Sequence, residues 1–175
     1  NLGNTLKRFG RLEEAEESFK KATKFKPDYA VAYYNLGVLL KDLDRLEEAE
    51  INFIKATEFK PDFADAHNNL GNTLQELRKL KEAETSYNKG IELKPNYAVI
   101  YNNLGIVLKD LGKLEEAEAS FKKAIELKSD FEIALLHKGQ ILFEKGEFEL
   151  ALRDFDSCNT GDSRGRALSS LYALG

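Results

Sequence analysis

The chain has 175 residues, with 30 Asp and Glu against 26 Lys and Arg, a formal net charge of −4, one Cys and three Pro. Without a basic block there is nothing to concentrate charge on phosphates, which argues against nucleic-acid binding. One Cys forms no internal disulfide, which suits a reducing, cytoplasmic location, and no apolar run reaches the roughly 20 residues that a membrane helix needs.

Taken in chain order, the sequence repeats itself every 34 residues. A Gly recurs as Gly3, Gly37, Gly71, Gly105 and Gly139. An Ala recurs as Ala15, Ala49, Ala83, Ala117 and Ala151, and an aromatic four residues later as Phe19, Phe53, Tyr87, Phe121 and Phe155. A further small column runs Ala22, Ala56, Gly90, Ala124 and Cys158. Self-similarity at this period is the signature of stacked supersecondary units, each burying its apolar face on its neighbours.

Within a unit, Tyr33, Leu36, Gly37, Leu40 and Leu43 lie on one helical face, and Leu46, Ala49, Phe53 and Ala56 on a second. Gly10, Gly112 and Gly146 stand between the helices, where a left-handed residue ends the first one. Asp44 and Arg78 replace that Gly in two units, and Arg78 is expected to be strained there. Pro27, Pro61 and Pro95 follow second helices, which they cannot extend. Helix pairs are therefore predicted over 1–28, 30–60, 64–94, 98–128 and 132–158. The small columns let backbones approach, and the aromatic column is expected to fill the gap between pairs. Early Glu and late Lys on the second helices suit the macrodipole, with Glu118–Lys122 as an i,i+4 pair. Residues 164–174 carry a short apolar stripe and are predicted to form a helix over the last pair.

These columns resemble the tetratricopeptide repeat (TPR), a 34-residue pair of antiparallel helices with aromatic, Leu-Gly, Ala, Phe, Ala and Pro positions. The likeness covers residues 1–163 and weakens in the fifth unit, where Lys138 replaces the Leu and Ser163 stands at the Pro position. It implies an all-α, right-handed superhelical solenoid of repeats 1–29, 30–63, 64–97, 98–131 and 132–163. Residues 164–175 would then be a cap or the start of a sixth repeat. The chain starts and stops inside the pattern, so it is expected to be a piece of a longer protein.

The resemblance also implies a concave groove lined by the first helices. One groove column is Asn1, Asn35, Asn69, Asn103 and then His137. In the superhelix of O-linked N-acetylglucosamine transferases, Asn here bonds the backbone of an extended peptide, and a carboxamide can both donate to and accept from a peptide unit. The preceding column holds Tyr34, Asn68 and Asn102, without the Lys that a chaperone carboxylate clamp needs. Asn1, Tyr34, Asn35, Val38, Asn68, Asn69, Asn72, Asn102, Asn103, Ile106 and His137 are thus the expected peptide contacts. Amide-rich patches (Asn1, Asn4; Asn68, Asn69, Asn72) alternate with apolar ones (Val31, Val38; Val99, Ile106). A ligand read at alternating sites would explain this, and so would duplication of a two-repeat block.

The Glu pairs recur in nearly every unit, whereas an active site is normally unique, so they read as solvated helix faces. His67 occupies the column of Tyr33 and Tyr101 and reads as packing; Cys158 falls in a small buried column. No phosphate loop, dinucleotide fingerprint or zinc-protease motif occurs. The expectation is a non-enzymatic protein-interaction scaffold with no cofactor, metal, nucleic-acid or membrane partner. The alternatives are the substrate-recruiting arm of a larger glycosyltransferase-like enzyme and a self-association module.

Overall fold

The computed structural model describes residues 2–157, so Asn1, Cys158 and the predicted helix over 164–174 lie outside the described residues. Among the described residues there are ten α-helices and no strand. They pair as α1 (Leu2–Arg8) with α2 (Leu12–Phe25) and α3 (Ala30–Asp42) with α4 (Leu46–Phe59). The next pairs are α5 (Ala64–Glu76) with α6 (Leu80–Leu93), α7 (Ala98–Asp110) with α8 (Leu114–Leu127), and α9 (Glu132–Glu144) with α10 (Phe148–Asp156). The chain divides into two compact units, one ending at Pro95 and holding α1–α6, the other starting at Asn96 and holding α7–α10. In the first unit α2 also packs on α3 and α4 on α5; in the second α8 packs on α9. This all-α array of helix pairs is the predicted fold class.

Each pair is closed by the same device. A Cβ added to Gly37 would lie 2.9 Å from Phe53 Cδ1, and one at Gly105 would lie 2.6 Å from Phe121 Cε1. Gly3 meets Phe19, Gly71 meets Tyr87 and Gly139 meets Phe155 in the same way. The ring therefore sits in the notch left by the missing side chain of its own partner helix. This corrects the expectation that the aromatic column fills the space between pairs. Ala49, Ala83 and Ala117 are fully buried beside these rings, where a larger side chain would overpack a tight crossing.

The turns inside the pairs share one hydrogen-bond pattern. At the end of α3, the Asp44 N–H donates to the Lys41 carbonyl (2.9 Å) and the Arg45 N–H to the Leu40 carbonyl (2.9 Å). The same two bonds recur around Gly10, Arg78, Gly112 and Gly146. This is the Schellman closure, which needs a left-handed residue. Gly10, Gly112 and Gly146 have φ of 74°, 76° and 80°, and Asp44 and Arg78 hold 58° and 60°. Arg78 thus carries the predicted backbone strain, because its Cβ crowds the following carbonyl there.

A recurring turn joins the pairs. Lys26, Lys60 and Lys128 close their second helices, and each ammonium lies 5.0–5.6 Å from the ring of Tyr29, Phe63 or Phe131 at the start of the next helix. Tyr34 in turn packs against Phe63, the rings tilted by 41° with 4.8 Å between centroids.

The charges follow a pattern that the sequence reading treats as solvation. Arg45, at the start of α4, reaches back to Glu16 on α2 (2.7 Å), Lys79 to Glu50 on α4 (2.7 Å), and Lys145 to Glu118 on α8 (2.8 Å). A second row joins first helices: Lys7 with Asp42 (2.5 Å), Lys41 with Glu76 (2.6 Å) and Lys109 with Glu144 (3.4 Å). Glu16, Glu50 and Glu118 are therefore half-buried clamps between successive pairs. Glu118 bonds Lys145, not Lys122 as the helical spacing suggests. Acidic first turns occur on α2, α4, α6 and α8, but of these only α2 has a base in its last turn, so half of the macrodipole expectation holds.

Candidate functional site: the faces of the first helices

The first helices of each unit present the expected contact residues. On α3, Tyr34, Asn35 and Val38 are half-buried; on α5, Asn69 and Asn72 are half-buried; on α7, Asn103 and Ile106 are half-buried. Asn68 and Asn102 differ. They are 7% and 5% exposed and lie beneath these faces, where a ligand has little of them to touch. Their column holds Tyr34 in the second repeat, and a column that takes an aromatic ring was the available sign that it faces inward. Asn1 lies outside the described residues.

In the first unit the polar side chains are tied together. Asn69 Nδ2 donates to the Tyr34 hydroxyl oxygen at 2.9 Å and to the Asp65 carbonyl at 3.1 Å. The Asp65 carbonyl can only accept, so the amino group must face it and the orientation of the amide is set. Both Nδ2 protons are used, and Oδ1 is the atom left to meet a ligand. Asn69 therefore offers an acceptor, not the donor and acceptor together that the residue type suggests. Asn72 is held from below: the Tyr87 hydroxyl, passing through the Gly71 notch, donates to Asn72 Oδ1 at 2.7 Å, with Gln75 Oε1 at 3.1 Å. Burial pushes the Tyr87 phenol well above its usual range, so it remains a donor at any ordinary pH.

In the second unit, Asn102 Nδ2 donates to Asn103 Oδ1 at 3.3 Å. His137, on α9, packs its ring 5.2 Å from that of Phe121. Burial, reinforced by the Lys109 cation, pushes its pKa below the usual imidazole value. Asn102 Oδ1 and His137 Nδ1 are buried without a hydrogen-bond partner in the protein. His67, on α5, acts structurally: its Nε2–H donates to the Pro61 carbonyl at 3.0 Å, and burial again lowers its pKa.

An open hollow of about 600 Å³ lies away from these faces, around Gly10, Arg11, Leu43 and Arg45. Its charges are neutralised internally, with Arg11 on Glu14 (2.5 Å) and Arg45 on Glu16 and Glu48 (2.7 Å each). Among the described residues no group of three His, Cys, Asp or Glu is arranged to hold a metal, and no helix is long and apolar enough to cross a membrane.

Family models described as tetratricopeptide repeat or TPR repeat match residues 3–44, 30–63 and 62–130, which together run from the first pair into the fourth. The chain belongs to the tetratricopeptide repeat family. No curated protein sequence matches this TPR chain. Solved TPR structures do. MamA is 22% identical, with 97% of this chain and 98% of MamA covered and a TM-score of 0.88. YrrB, described as a TPR protein with an unusual peptide-binding site, is 26% identical over 99% of this chain and 89% of its own, with a TM-score of 0.84. A thermophilic TPR protein of Thermus thermophilus, TTC0263, is 23% identical over 98% and 96%, with a TM-score of 0.71.

Proposed function

We propose that the chain is a non-catalytic interaction module whose first-helix faces hold an extended peptide. TPR proteins are protein-interaction scaffolds, and YrrB, 26% identical, is described as having a peptide-binding site. In this reading Asn35, Asn69 and Asn103 bond the peptide backbone, while Tyr34, Val38, Asn72 and Ile106 select among side chains. The observation that carries it is the Asn69 amide. Tyr34 and Asp65 hold it with its oxygen left over, so it meets a peptide N–H without first losing rotamer freedom. A Leu or Ala there would offer nothing to a backbone.

The test is a pair of substitutions, Asn69→Ala and Asn103→Ala, with affinity for a captured cognate peptide measured by calorimetry. Each is expected to cost about 0.5–1.5 kcal/mol, the net value of one hydrogen bond, with helicity intact. Unchanged affinity in both variants would move the binding surface elsewhere.

A further inference from the structure

The ring column reads Phe19, Phe53, Tyr87, Phe121 and Phe155, so a hydroxyl enters it in the third repeat alone. Packing does not call for it, because plain rings fill the same glycine notch in the other four. Burying a phenol also costs desolvation unless its oxygen and proton are bonded. The same repeat changes a second column. Where the others place Lys7, Lys41, Lys109 and Phe143, α5 carries Gln75. Those three lysines spend their charge on Asp42, Glu76 and Glu144. Gln75 has no charge to spend, and its amide meets the Tyr87 hydroxyl at 3.1 Å, beside Asn72 at 2.7 Å. Asn69, Asn72 and Gln75 thus set three half-buried carboxamides along one side of α5.

We propose that Gln75 is a further peptide-backbone contact and that Tyr87 is its positioning residue. The proposal rests on the peptide-binding reading and names the source of the donor that Asn69 lacks. A phenol has one proton, and the shorter bond, to Asn72 Oδ1, takes it. Two acceptors cannot share that proton fully. The Gln75 amide is satisfied when turned so that Nε2 takes the place of Oε1 and donates to the phenol oxygen. Among the described residues the Gln75 side chain makes no other hydrogen bond. Its Oε1 and second N–H remain, an acceptor and a donor in one plane. An extended residue offers a strand partner both its N–H and its C=O, which is the complement of that pair. Held by Tyr87, the amide meets them without first losing rotamer freedom. The amide carries no charge, so the contact reads the main chain and not a charged side chain.

The experiment uses the full chain and a capped nonapeptide of alternating Ala and Ser, with a copy N-methylated at every residue that has no backbone donor. Tyr87→Phe installs the ring of the other repeats and should keep the fold. It is expected to weaken binding of the unmethylated peptide about three- to tenfold, the effect of leaving one long side chain to be ordered on binding. Gln75→Ala should weaken it by a similar factor, and in that background Tyr87→Phe should change affinity less than about twofold. The methylated peptide should bind weakly and show neither effect. Nitrogen-15 relaxation should find the Gln75 side-chain amide ordered in the free parent and mobile in Tyr87→Phe. A Tyr87→Phe chain that is less stable but binds as tightly as the parent would make the hydroxyl structural and overturn the proposal. A mobile Gln75 amide in the free parent would do the same. Binding weakened by Asn69→Ala but untouched by Gln75→Ala would remove this contact and leave the peptide reading standing. Failure of the unmethylated peptide to bind the parent chain would overturn both.

Discussion

The ring-in-notch contact makes a quantitative prediction at Gly105→Ala. Alanine is the better helix former by about 1 kcal/mol, so on propensity alone the change should stabilise α7. The added Cβ would lie 2.6, 2.8 and 2.9 Å from three atoms of the Phe121 ring. Carbon atoms prefer about 3.5–4.0 Å, so the ring must retreat by roughly an ångström. It has nowhere to go, being fully buried. Overpacking of this kind costs about 1–3 kcal/mol. The net expectation is a loss of about 0–2 kcal/mol, or a melting temperature lowered by about 2–4 °C for each kcal/mol.

The decisive comparison is a double-mutant cycle with Phe121→Leu, which deletes Cε1 and Cζ, the two ring atoms nearest the added Cβ. In that background Gly105→Ala should become neutral or stabilising, giving a coupling of about 1–3 kcal/mol. Gly112→Ala is the control: its φ is 76° and nothing lies within 4 Å of the added Cβ, so its cost of about 1–2 kcal/mol is a backbone cost and should be independent of Phe121. Urea unfolding followed by circular dichroism measures all of these. A Gly105→Ala effect of the same sign and size in both backgrounds would refute the packing argument.

Two further outcomes follow from the turns and the histidines. Arg78→Gly should stabilise the chain by about 1 kcal/mol, because it removes a Cβ from a left-handed position; Asp44→Gly should gain less, since Asp tolerates that region better, and thermal melts of the two variants would check the order. His67 and His137 both titrate below the usual imidazole value in the folded state, so the unfolded chain binds protons first as pH falls. Stability should therefore be complete above about pH 6.5 and decline as pH drops below it. Melts of His67→Asn and His137→Asn should each show a weaker decline, and a decline identical to the parent in both would assign acid sensitivity to other groups.

Much of the architecture is legible in the residue pattern because its causes are local. The left-handed turn and the post-helix Pro mark helix ends within a few residues, and the period reveals the repeat. What the columns alone do not say is which of them face one another. Gly37 and Phe53 sit at equal distances on either side of the turn residue Arg45, so folding the chain back at that turn brings them opposite, and this arithmetic was available. The clamps Arg45–Glu16 and Lys79–Glu50 were harder to see, since a charge on a helix looks solvated until the next pair is stacked beside it. For the candidate site, the recurrence of Asn was visible, but the state of each amide was not. Whether it is held with its oxygen free, as Asn69 is, or buried, as Asn68 and Asn102 are, depends on neighbours a whole repeat away.

Those clamps have a kinetic consequence. The ion pairs between successive helix pairs join residues only 27 to 35 apart in sequence. Closing loops that short costs little chain entropy, and a contact map built from them has the low order of rapidly folding helical proteins. Within a unit, two adjacent helix pairs can serve as a nucleus, and growth adds one pair at a time. The same arithmetic governs opening. Within each unit, hydrogen-exchange protection should be graded in steps of one helix pair, with each step set by one Gly–aromatic notch and one pair of clamps.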